Sequence, residues 1–413
     1  MKNAVNSIIL EEQKRQENTL NLIASENFAS SQVLATLGSV LTNKYSEGYP
    51  EFRYYGGNQY IDQIEDLCQQ KALKLYDLSV RKWHVNVQPY SGSIANLAVY
   101  VALVPLGEKI MGLALDMGGH LTHGHRASFT GKAWKATPYF LDKKTELLDY
   151  EAIAKLAKKE KPKLIIAGYT AYSRIIDFKK FRQIADSIGA YLMVDMSHFA
   201  GLVSGNVYPS PFPHADVITT TTHKTLRGPR AAMIFVNRNS KTASKENIDI
   251  VKAIDKAVFP GLQGGPHINQ IAATAIALQE ANSKSFQKYA HQIVKNARAL
   301  AVALDKLGFR IVSKGTDSHL FLVDLTNLNM NGKTASDLLE TNNIVVNKNA
   351  IPFDTASPIK PSGIRLGTPA LTTRGMKEKE MHQIAHLIAD AIIQGKNVKS
   401  RVLSLCKLFP LKF

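Results

Sequence analysis

The feature that most constrains the fold of this chain is an alternation of short apolar runs with helical patterns in its middle third. Apolar runs fall at 163–169, at 191–194 and within 217–236, and an amphipathic pattern at 181–188 separates the first two. Strands that alternate with helices at this spacing are typical of a parallel sheet covered by helices. The sequence therefore predicts an α/β protein with a mostly parallel sheet.

Further elements are indicated on either side of this region, and a Gly/Pro-rich break at 260–266 separates two kinds of pattern. Helical patterns fall at 8–22, after Ser30, at 268–280, at 285–307 and after Gly375. Strand patterns fall at 309–312 and 319–325. We therefore expect an N-terminal helical arm at 1–42, a large domain at 43–270 and a smaller α+β domain at 271–413.

One lysine, Lys224, follows an apolar strand that ends in the Thr-rich turn 219–222. An isolated lysine in a loop is most often a solvated charge. A lysine that a sheet holds in a partly desolvated turn, however, suits Schiff-base chemistry. Lys224 is therefore a candidate nucleophile.

A second apolar strand ends at Asp195, and His198 follows three residues later. Ligands of open α/β sheets bind at the carboxyl ends of the strands, so Asp195 and Lys224 should face one crevice. Taken singly, Asp195 would be a capping residue. Together, the aspartate and the lysine match what pyridoxal phosphate needs: an imine partner, and a carboxylate that keeps the pyridine nitrogen protonated.

A short turn, Ser91-Gly92-Ser93, opens a helical pattern rich in small residues. Free N–H groups and the positive end of the helix dipole favour an anion there, and the two hydroxyls add donors. Many serine-capped helices look similar. The order of turn, aspartate and lysine nevertheless predicts a phosphate site at 91–93.

Long strings of this sequence resemble the serine hydroxymethyltransferase family from near the N-terminus to the last third of the chain. The matching strings are residues 22–27, 43–50, 53–57, 118–124, 219–230, 259–267 and 363–370. The resemblance implies the aspartate aminotransferase-like fold (PLP fold type I), with an N-terminal arm and a smaller C-terminal α+β domain. It also implies a reversible conversion of serine and tetrahydrofolate to glycine and 5,10-methylenetetrahydrofolate through aldimines of pyridoxal phosphate, with folate-independent aldol cleavage of 3-hydroxy amino acids as a side activity.

The resemblance further implies roles for the cofactor-binding residues. Lys224 would carry the imine, Asp195 would hold the ring nitrogen and His120 would stack on the ring. Thr170 and His198 would lie near the phenolic oxygen. The phosphate would be held by residues of two subunits: Ser91, Gly92 and Ser93 of one chain, and Gly264 and Gly265 of its neighbour.

For the substrates, Arg365 would clamp the serine carboxylate as a planar, bidentate fork, and Ser25 would add a hydrogen bond. Glu47 would transfer a proton at the hydroxymethyl group, and His223 would influence which reactions follow. Tyr45 and Tyr55 would enter the partner's site, so a homodimer, or a tetramer built from it, is expected. The folate would contact Leu115, Gly119, His120, Leu121, Asn347, Ser357, Pro358 and Ile359.

Three departures from the family pattern stand out. Thr170 replaces a usual serine, Gln59 replaces an acidic residue, and Ala231-Ala232 replace small Gly or Ser residues after the lysine turn. Because alanine adopts positive φ less readily than glycine, we expect a slightly different loop there. None of these departures removes a reacting group.

Composition adds little that is specific. Lys and Arg outnumber Asp and Glu by 51 to 34, for a net charge of +17. The lysines are scattered without interleaved aromatics, which favours solvated helix faces over nucleic-acid binding. We expect neither a membrane span nor a secretory signal, and so a cytoplasmic enzyme. Cys68 and Cys406 are expected to stay reduced.

Three other interpretations remain open. A folate-independent aldolase or aminotransferase would share Lys224, Asp195 and the phosphate turn, and folate dependence would distinguish it. A catalytically inactive binding protein would be expected to lack Lys224, Glu47 or Arg365. A metal site is the weakest alternative, because the spacing around His120 and His123 is not that of a zinc site, and no metal is expected.

Overall fold

The computed structural model describes residues 4–411, which form two compact units. The larger unit comprises residues 29–170 and 175–290, and the smaller comprises residues 171–174 with the segments up to 28 and from 291 onward. The sequence-based division into an arm and two domains stays a prediction.

The strands of the described residues are short, and they are numbered along the chain. They are β1 Leu20–Asn21, β2 Gly48–Tyr49, β3 Phe52–Arg53, β4 Trp83–Asn86, β5 Lys109–Leu113, β6 Lys135–Tyr139, β7 Leu164–Gly168, β8 Tyr191–Asp195, β9 Val217–Thr221, β10 Ala232–Asn237, β11 Arg310–Ile311, β12 Leu320–Asp324, β13 Ile344–Val345, β14 Asn347–Asn349 and β15 Gly363–Gly367.

The α-helices are numbered in the same way. They are α1 Ala4–Glu17, α2 Ser31–Leu37, α3 Gln59–Leu75, α4 Gly92–Leu103, α5 Thr130–Ala133, α6 Tyr150–Glu160, α7 Phe178–Ile188, α8 Ala200–Ser204, α9 Lys241–Lys245, α10 Ile250–Lys256, α11 Ile268–Ala281, α12 Lys284–Lys306, α13 Gly332–Thr341, α14 Pro369–Thr373, α15 Glu378–Ile392 and α16 Lys399–Leu408. Single helical turns lie at Val40–Asn43, Leu115–Met117, Leu121–His123, Ala257–Leu262, Val312–Lys314 and Thr326–Leu328.

The larger unit is built on a seven-stranded sheet in the order β4-β10-β9-β8-β7-β5-β6. Strands β5 to β9 are mutually parallel. Strand β10 pairs antiparallel with both β9 and β4, so it alone among the seven runs in the opposite direction. The register aligns Gly168, Asp195 and Thr219 across the three central strands. The predicted mixed α/β fold with a large, mostly parallel sheet is confirmed.

Local sequence explains where the sheet-covering helices begin and end. Asp149 and Asp177 cap α6 and α7 by accepting hydrogen bonds from backbone N–H groups of the first turn, and Gly189 ends α7 with φ +70°. A short polar side chain at the N-cap accepts hydrogen bonds from N–H groups that have no partner within the helix. A glycine after the last turn readily adopts the positive φ that ends the helix. These residues therefore fix where each helix begins or ends.

The core of the larger unit lies between the sheet and helices such as α4 and α10. Ala95 and Val99 of α4 and Ile254 of α10 are completely buried, together with strand residues such as Ile166 and Ile234. Each strand from β7 to β9 is buried throughout. A strand buried on both faces has a continuous apolar sequence, which is why these strands could be predicted.

The smaller unit has an antiparallel sheet in the order β11-β12-β15-β14 and a parallel pair, β1-β13. The helical pattern predicted at 8–22 is wrong at its C-terminal end. Helix α1 ends at Glu17, and Leu20–Asn21 pair with Ile344–Val345 instead. Leu20 and Leu22 are completely buried in this unit's core, so tertiary pairing prevails over helical periodicity. Within residues 4–411, no helix is long and apolar enough to span a membrane.

Candidate active site

The carboxyl edge of the large sheet collects the main candidate residues of the larger unit. Strands β4, β5, β7, β8 and β9 all run in one direction, as their pairing shows. Asp195 is the last residue of β8, and the segments that follow the other four strands carry Ser91, His120, Thr170 and Lys224. Chain segments that leave parallel strands at the same edge are where α/β proteins bind ligands. The arrangement therefore forms one candidate site.

Lys224 lies in a tight turn that its neighbours hold closed. Its Nζ lies 3.0 Å from Thr221 Oγ1, and its carbonyl oxygen accepts a hydrogen bond from the N–H of Arg227. Arg227 has φ +60°, and Gly228 N donates to Thr222 O over 2.7 Å. The turn thus fixes the backbone on both sides of a half-buried amine.

Asp195 is a buried carboxylate, 7% exposed, with several hydrogen-bond donors. Ser197 N donates to Oδ1 over 3.0 Å, and Asn96 Nδ2 donates to Oδ2 over 2.9 Å. His123 Nε2 lies 3.2 Å from Oδ2. Burial by itself would raise the pKa of Asp195, but hydrogen bonding and charge from His123 hold it well below its ordinary value. The carboxylate is therefore ionised and suited to a protonated nitrogen.

Two histidines near the lysine are held neutral. Burial lowers the pKa of His120 to about 4 and that of His223 to about 3, and the positive charge of Lys224 acts in the same direction on both. A neutral His120 ring can lie against a protonated, positively charged ring without charge repulsion. His198, 2% exposed, accepts a hydrogen bond at its carbonyl oxygen from Thr225 Oγ1 over 3.0 Å, which links the Asp195 segment to the lysine turn.

The turn at 91–93 opens α4, whose first residue is Gly92. Ser91 has extended φ and ψ values, and its side chain makes no capping hydrogen bond to the helix. The N–H groups of the first helical turn therefore face outward, together with the positive end of the helix dipole. A side chain at Gly92 would meet Thr221 Cγ2 at 2.7 Å, so this turn lies directly against the lysine turn.

A third segment of this edge joins β5 to Thr170. Thr170 donates from its N–H to Gly118 O over 2.8 Å and from Oγ1 to Gly119 O over 2.9 Å. Gly119 has no room for a side chain, because a Cβ would lie 1.9 Å from Leu113 O. Leu115 and Leu121 are 38% and 46% exposed, and they offer apolar contact area beside His120.

The loop from 44 to 57 brings together a second group of candidates. Tyr45 Oη donates to Glu47 Oε1 over 3.1 Å, and the Tyr45 and Tyr55 rings pack edge to face with centroids 5.0 Å apart. A Cβ on Gly264 would lie 3.1 Å from Glu47 Oε1, and one on Gly265 would lie 3.5 Å from the Tyr45 ring. A cavity of 590 Å³ is lined by Glu47, Tyr54, Phe259, Pro260, Gly261, Leu262, Gln263 and Gly264.

The smaller unit holds the remaining candidates. Arg365 on β15 is 8% exposed, and its Nε donates to Asn347 Oδ1, on the neighbouring strand, over 3.0 Å. Burial lowers the pKa of Arg365 to about 10, so the guanidinium stays charged at neutral pH. The segment of Ser25 lies beside β15, where a Cβ on Gly367 would lie 2.4 Å from Ala24 Cα. Ser357, Pro358 and Ile359 are exposed in this unit.

The residues of the larger unit fit pyridoxal phosphate. The site offers an amine for the aldehyde, a buried ionised carboxylate for the ring nitrogen, and unpaired helix N–H groups for a phosphate. Within residues 4–411, no group of three or more His, Cys, Asp and Glu side chains could hold a metal ion. Together with the sheet topology, these groups define a pyridoxal phosphate-dependent enzyme of the aspartate aminotransferase-like class.

A family model described as serine hydroxymethyltransferase matches residues 1–388. The chain belongs to this family, as predicted. It is a pyridoxal phosphate-dependent glycine hydroxymethyltransferase of one-carbon metabolism, with tetrahydrofolate as co-substrate and serine and glycine as substrates.

Sequence reasoning missed two side chains that support Asp195. For His123 the sequence suggests a general stacking or hydrogen-bonding role, besides the weak metal alternative, but no partner, and for Asn96, inside the string that opens α4, it suggests no role. Nothing in the local pattern relates Asn96 to Asp195, since 99 residues separate the two in the chain. For the departures, neither Ala231 nor Ala232 is among the residues with positive φ, and Ala231 N donates to Thr222 Oγ1 over 3.2 Å. Alanine is therefore unstrained at both positions.

Proposed function

We propose that this enzyme transfers the hydroxymethyl carbon of serine to tetrahydrofolate reversibly, giving glycine and 5,10-methylenetetrahydrofolate. The observation that carries the proposal is the proximity of the Lys224 turn to the phosphate turn of α4, with the ionised Asp195 on the strand between Thr170 and Lys224. These groups suit one bound pyridoxal phosphate.

The cofactor, when bound, supplies an electron sink for the bond that breaks at the substrate α-carbon. Lys224 provides the amine that attaches it to the protein. Asp195 keeps a proton on the ring nitrogen, because its own carboxylate is held ionised. Ser91, Gly92 and Ser93 would bind the phosphate, His120 would lie against the ring as a neutral side chain, and Thr170 and His198 would lie near the phenolic oxygen.

Glu47 would move the proton at the serine hydroxyl oxygen. Its Oε1 accepts a hydrogen bond from Tyr45 Oη, which fixes the orientation of the carboxyl group. Positioned proton transfer of this kind accelerates a reaction by roughly 10²- to 10⁴-fold. Tyr55 packs on Tyr45 and restrains its ring. His223, uncharged at neutral pH, adds no positive charge beside Lys224 and would influence which reaction follows.

Arg365 would bind the serine carboxylate through two parallel N–H donors, with Ser25 as an additional donor. Its Nε is already engaged by Asn347, which leaves the guanidinium plane oriented. The folate would contact Leu115, Gly119, His120 and Leu121 of the larger unit. In the smaller unit it would contact Asn347, Ser357, Pro358 and Ile359.

We further propose a homodimer with shared sites, in which Tyr45, Glu47, Tyr55, Gly264 and Gly265 of one chain serve the partner's cofactor. These residues lie close together within one chain, which supports the proposal that they enter the partner's site as one group. Folate-independent aldol cleavage of 3-hydroxy amino acids is the expected side activity. A cytoplasmic location stays a prediction.

The test is to load the purified protein with pyridoxal phosphate, reduce it with borohydride and identify the modified peptide by mass spectrometry. Cofactor attached to Lys224, and absent in Lys224→Ala, is expected. Lys241→Ala, a change in the exposed first turn of α9, is the control and should label as wild type. Formation of glycine from serine should then depend on tetrahydrofolate. Labelling elsewhere would contradict the role of Lys224, and folate-independent turnover alone would indicate an aldolase or aminotransferase.

A further inference from the structure

Asn96 is a completely enclosed polar side chain in the second turn of α4, 1% exposed. Its Nδ2 donates to Asp195 Oδ2 over 2.9 Å and to Thr122 Oγ1 over 2.8 Å. Thr122 Oγ1 in turn lies 2.7 Å from His120 Nδ1. One amide group therefore contacts both the proposed ring-nitrogen anchor and the support of the proposed stacking ring.

The orientation of this amide is set by a neighbour on β9. Thr219 Oγ1 donates to Asn96 Oδ1 over 2.7 Å, and Thr219 is completely buried. Because an ionised carboxylate can only accept, the NH₂ group must face Asp195, and Thr219 holds the amide in this orientation by donating to Oδ1. The chain thus specifies both the position and the direction of the donor.

The carboxylate of Asp195 has room for one further partner. An ionised carboxylate offers about four acceptor positions. Asn96, His123 and the N–H of Ser197 occupy three of them. The last is available to an N–H group of a ligand. If the Asn96 donor were removed, the carboxylate would keep only the His123 and Ser197 contacts, so its orientation would be less restrained and its ionised form less stabilised.

We infer that Asn96 is a positioning residue that fixes the Asp195 carboxylate for the pyridine nitrogen of the cofactor and connects this anchor to the phosphate-binding end of the same helix. Asn96, in the second turn, lies five positions after Ser91, which precedes the first turn. Phosphate binding at one end of α4 and nitrogen binding along its side are then two functions of one rigid element. The inference rests on the proposed cofactor site.

The experiment titrates cofactor-free protein with pyridoxal phosphate labelled with ¹⁵N in the ring, and it records both affinity and the ¹⁵N resonance. Asn96→Leu keeps the side-chain size and removes the donor. We expect a Kd roughly 10- to 100-fold higher, the usual effect of losing a hydrogen bond to a charged group. We also expect the ¹⁵N resonance to move toward the unprotonated position at the same pH.

Two further variants separate positioning from general destabilisation. Thr219→Val keeps the Asn96 donor but removes the hydroxyl that holds the amide in place. The Kd and the ¹⁵N resonance should therefore change in the same direction as in Asn96→Leu, but by less. Asn296→Leu is the matched control: Asn296 is completely buried and its Nδ2 also makes two hydrogen bonds, to Thr372 and Met376, in the smaller unit. It should lower the melting temperature and leave the ¹⁵N resonance unchanged.

The outcomes are distinct. Asn96→Leu with a wild-type ¹⁵N resonance overturns the inference, even if the affinity or melting temperature falls. If Asn96→Leu does not fold, a wild-type resonance in Thr219→Val overturns it instead. If the wild-type protein binds no cofactor, the proposed function itself fails and the inference with it. A shifted resonance in the Asn96 or Thr219 variant, with none in Asn296→Leu, supports it.

Discussion

Arg53 Nη2 donates a hydrogen bond of 2.6 Å to Glu65 Oε2, and the two side chains are only 4% and 0% exposed. Arg53 also donates to the carbonyl oxygens of Ser46 and Gly48, the residues on either side of Glu47. Gln88, shortly before the phosphate turn, donates to Glu65 Oε1 over 2.7 Å. The buried ion pair therefore holds the backbone at Glu47 and joins it to the segment that leads into α4.

Arg53→Met should destabilise the protein by about 3–5 kcal/mol, because it leaves the Glu65 carboxylate buried without its charge partner. Urea unfolding of the cofactor-free protein measures this. The double variant Arg53→Met, Glu65→Leu should recover part of the loss. Arg15→Met is the control, since its partner Glu12 is exposed and such pairs contribute about 0–1 kcal/mol. If Arg53→Met and Arg15→Met lowered the free energy of unfolding equally, the buried pair would not be stabilising.

Gly92→Ala should introduce a steric clash between the phosphate turn and the lysine turn. The new Cβ would lie 2.7 Å from Thr221 Cγ2, and overpacking of this kind costs about 1–3 kcal/mol. Thr221→Ser removes that methyl group and keeps the hydroxyl that contacts Lys224. The double variant should therefore be more stable than Gly92→Ala alone, as measured by urea unfolding. Gly38→Ala, where the nearest atom is 3.8 Å away, is the control. If the stability changes caused by Gly92→Ala and Thr221→Ser were additive in the double variant, this would contradict the steric clash.

Glu47→Gln should retain cofactor binding and lose hydroxymethyl transfer. The amide has the shape of the carboxyl group but cannot exchange the proton, so a decrease in kcat of roughly 10²- to 10⁴-fold is expected. Formation of glycine from serine and tetrahydrofolate, measured beside cofactor affinity, tests this. Glu51→Gln changes an exposed glutamate of the same loop and should leave both quantities at wild-type values. Weaker cofactor binding by Glu47→Gln would indicate a structural role.

Mixed dimers should recover activity if the sites are shared. A hybrid of one Lys224→Ala chain and one Glu47→Gln chain would place both defects in one site and leave the other site intact, provided that Glu47 serves the partner. Co-expression with two affinity tags isolates the hybrid, and its turnover is compared with that of each parent variant. A hybrid as inactive as its parents would show that Glu47 serves its own chain.

Acid should destabilise the folded protein through its two neutral histidines. The pKa of His120 is lowered to about 4 and that of His223 to about 3, against 6.5 ordinarily. Below pH 6.5 the unfolded chain takes up protons that the folded chain does not, so stability falls as pH falls. Each histidine should contribute a loss of about 2 kcal/mol between about pH 7.5 and pH 5.

Urea unfolding at about pH 7.5 and pH 5 tests this prediction. Asp195, with its lowered pKa, affects the pH dependence of stability only below its ordinary pKa of 3.8. His223→Asn should lose less stability on acidification than wild type. His382→Asn, an exposed change on α15, should behave as wild type. An unchanged pH dependence in His223→Asn would show that this histidine titrates normally in the folded state.

The strands and the residue types of the candidate site could be predicted from the sequence because both are local properties. Buried parallel strands such as β7 and β8 appear as continuous apolar runs. Strand β8 ends at Asp195, and Thr170 lies two residues after the end of β7. The Gly/Ser turn at 91–93 and the lysine turn are contiguous strings, so their residue types alone indicated a cofactor and, through the resemblance, the family.

The supporting contacts depended on the tertiary structure, because they join residues that are distant in the chain. Asn96 reaches Asp195 and Thr219 only after α4 has packed against the sheet, and Arg53 reaches Glu65 only once α3 has formed. The end of α1 was decided in the same way, by burial of Leu20 against the core of the smaller unit. Sequence by itself determined which groups are candidates for the reaction. Packing decided how each is held, because burial and hydrogen-bond direction exist only in the folded chain.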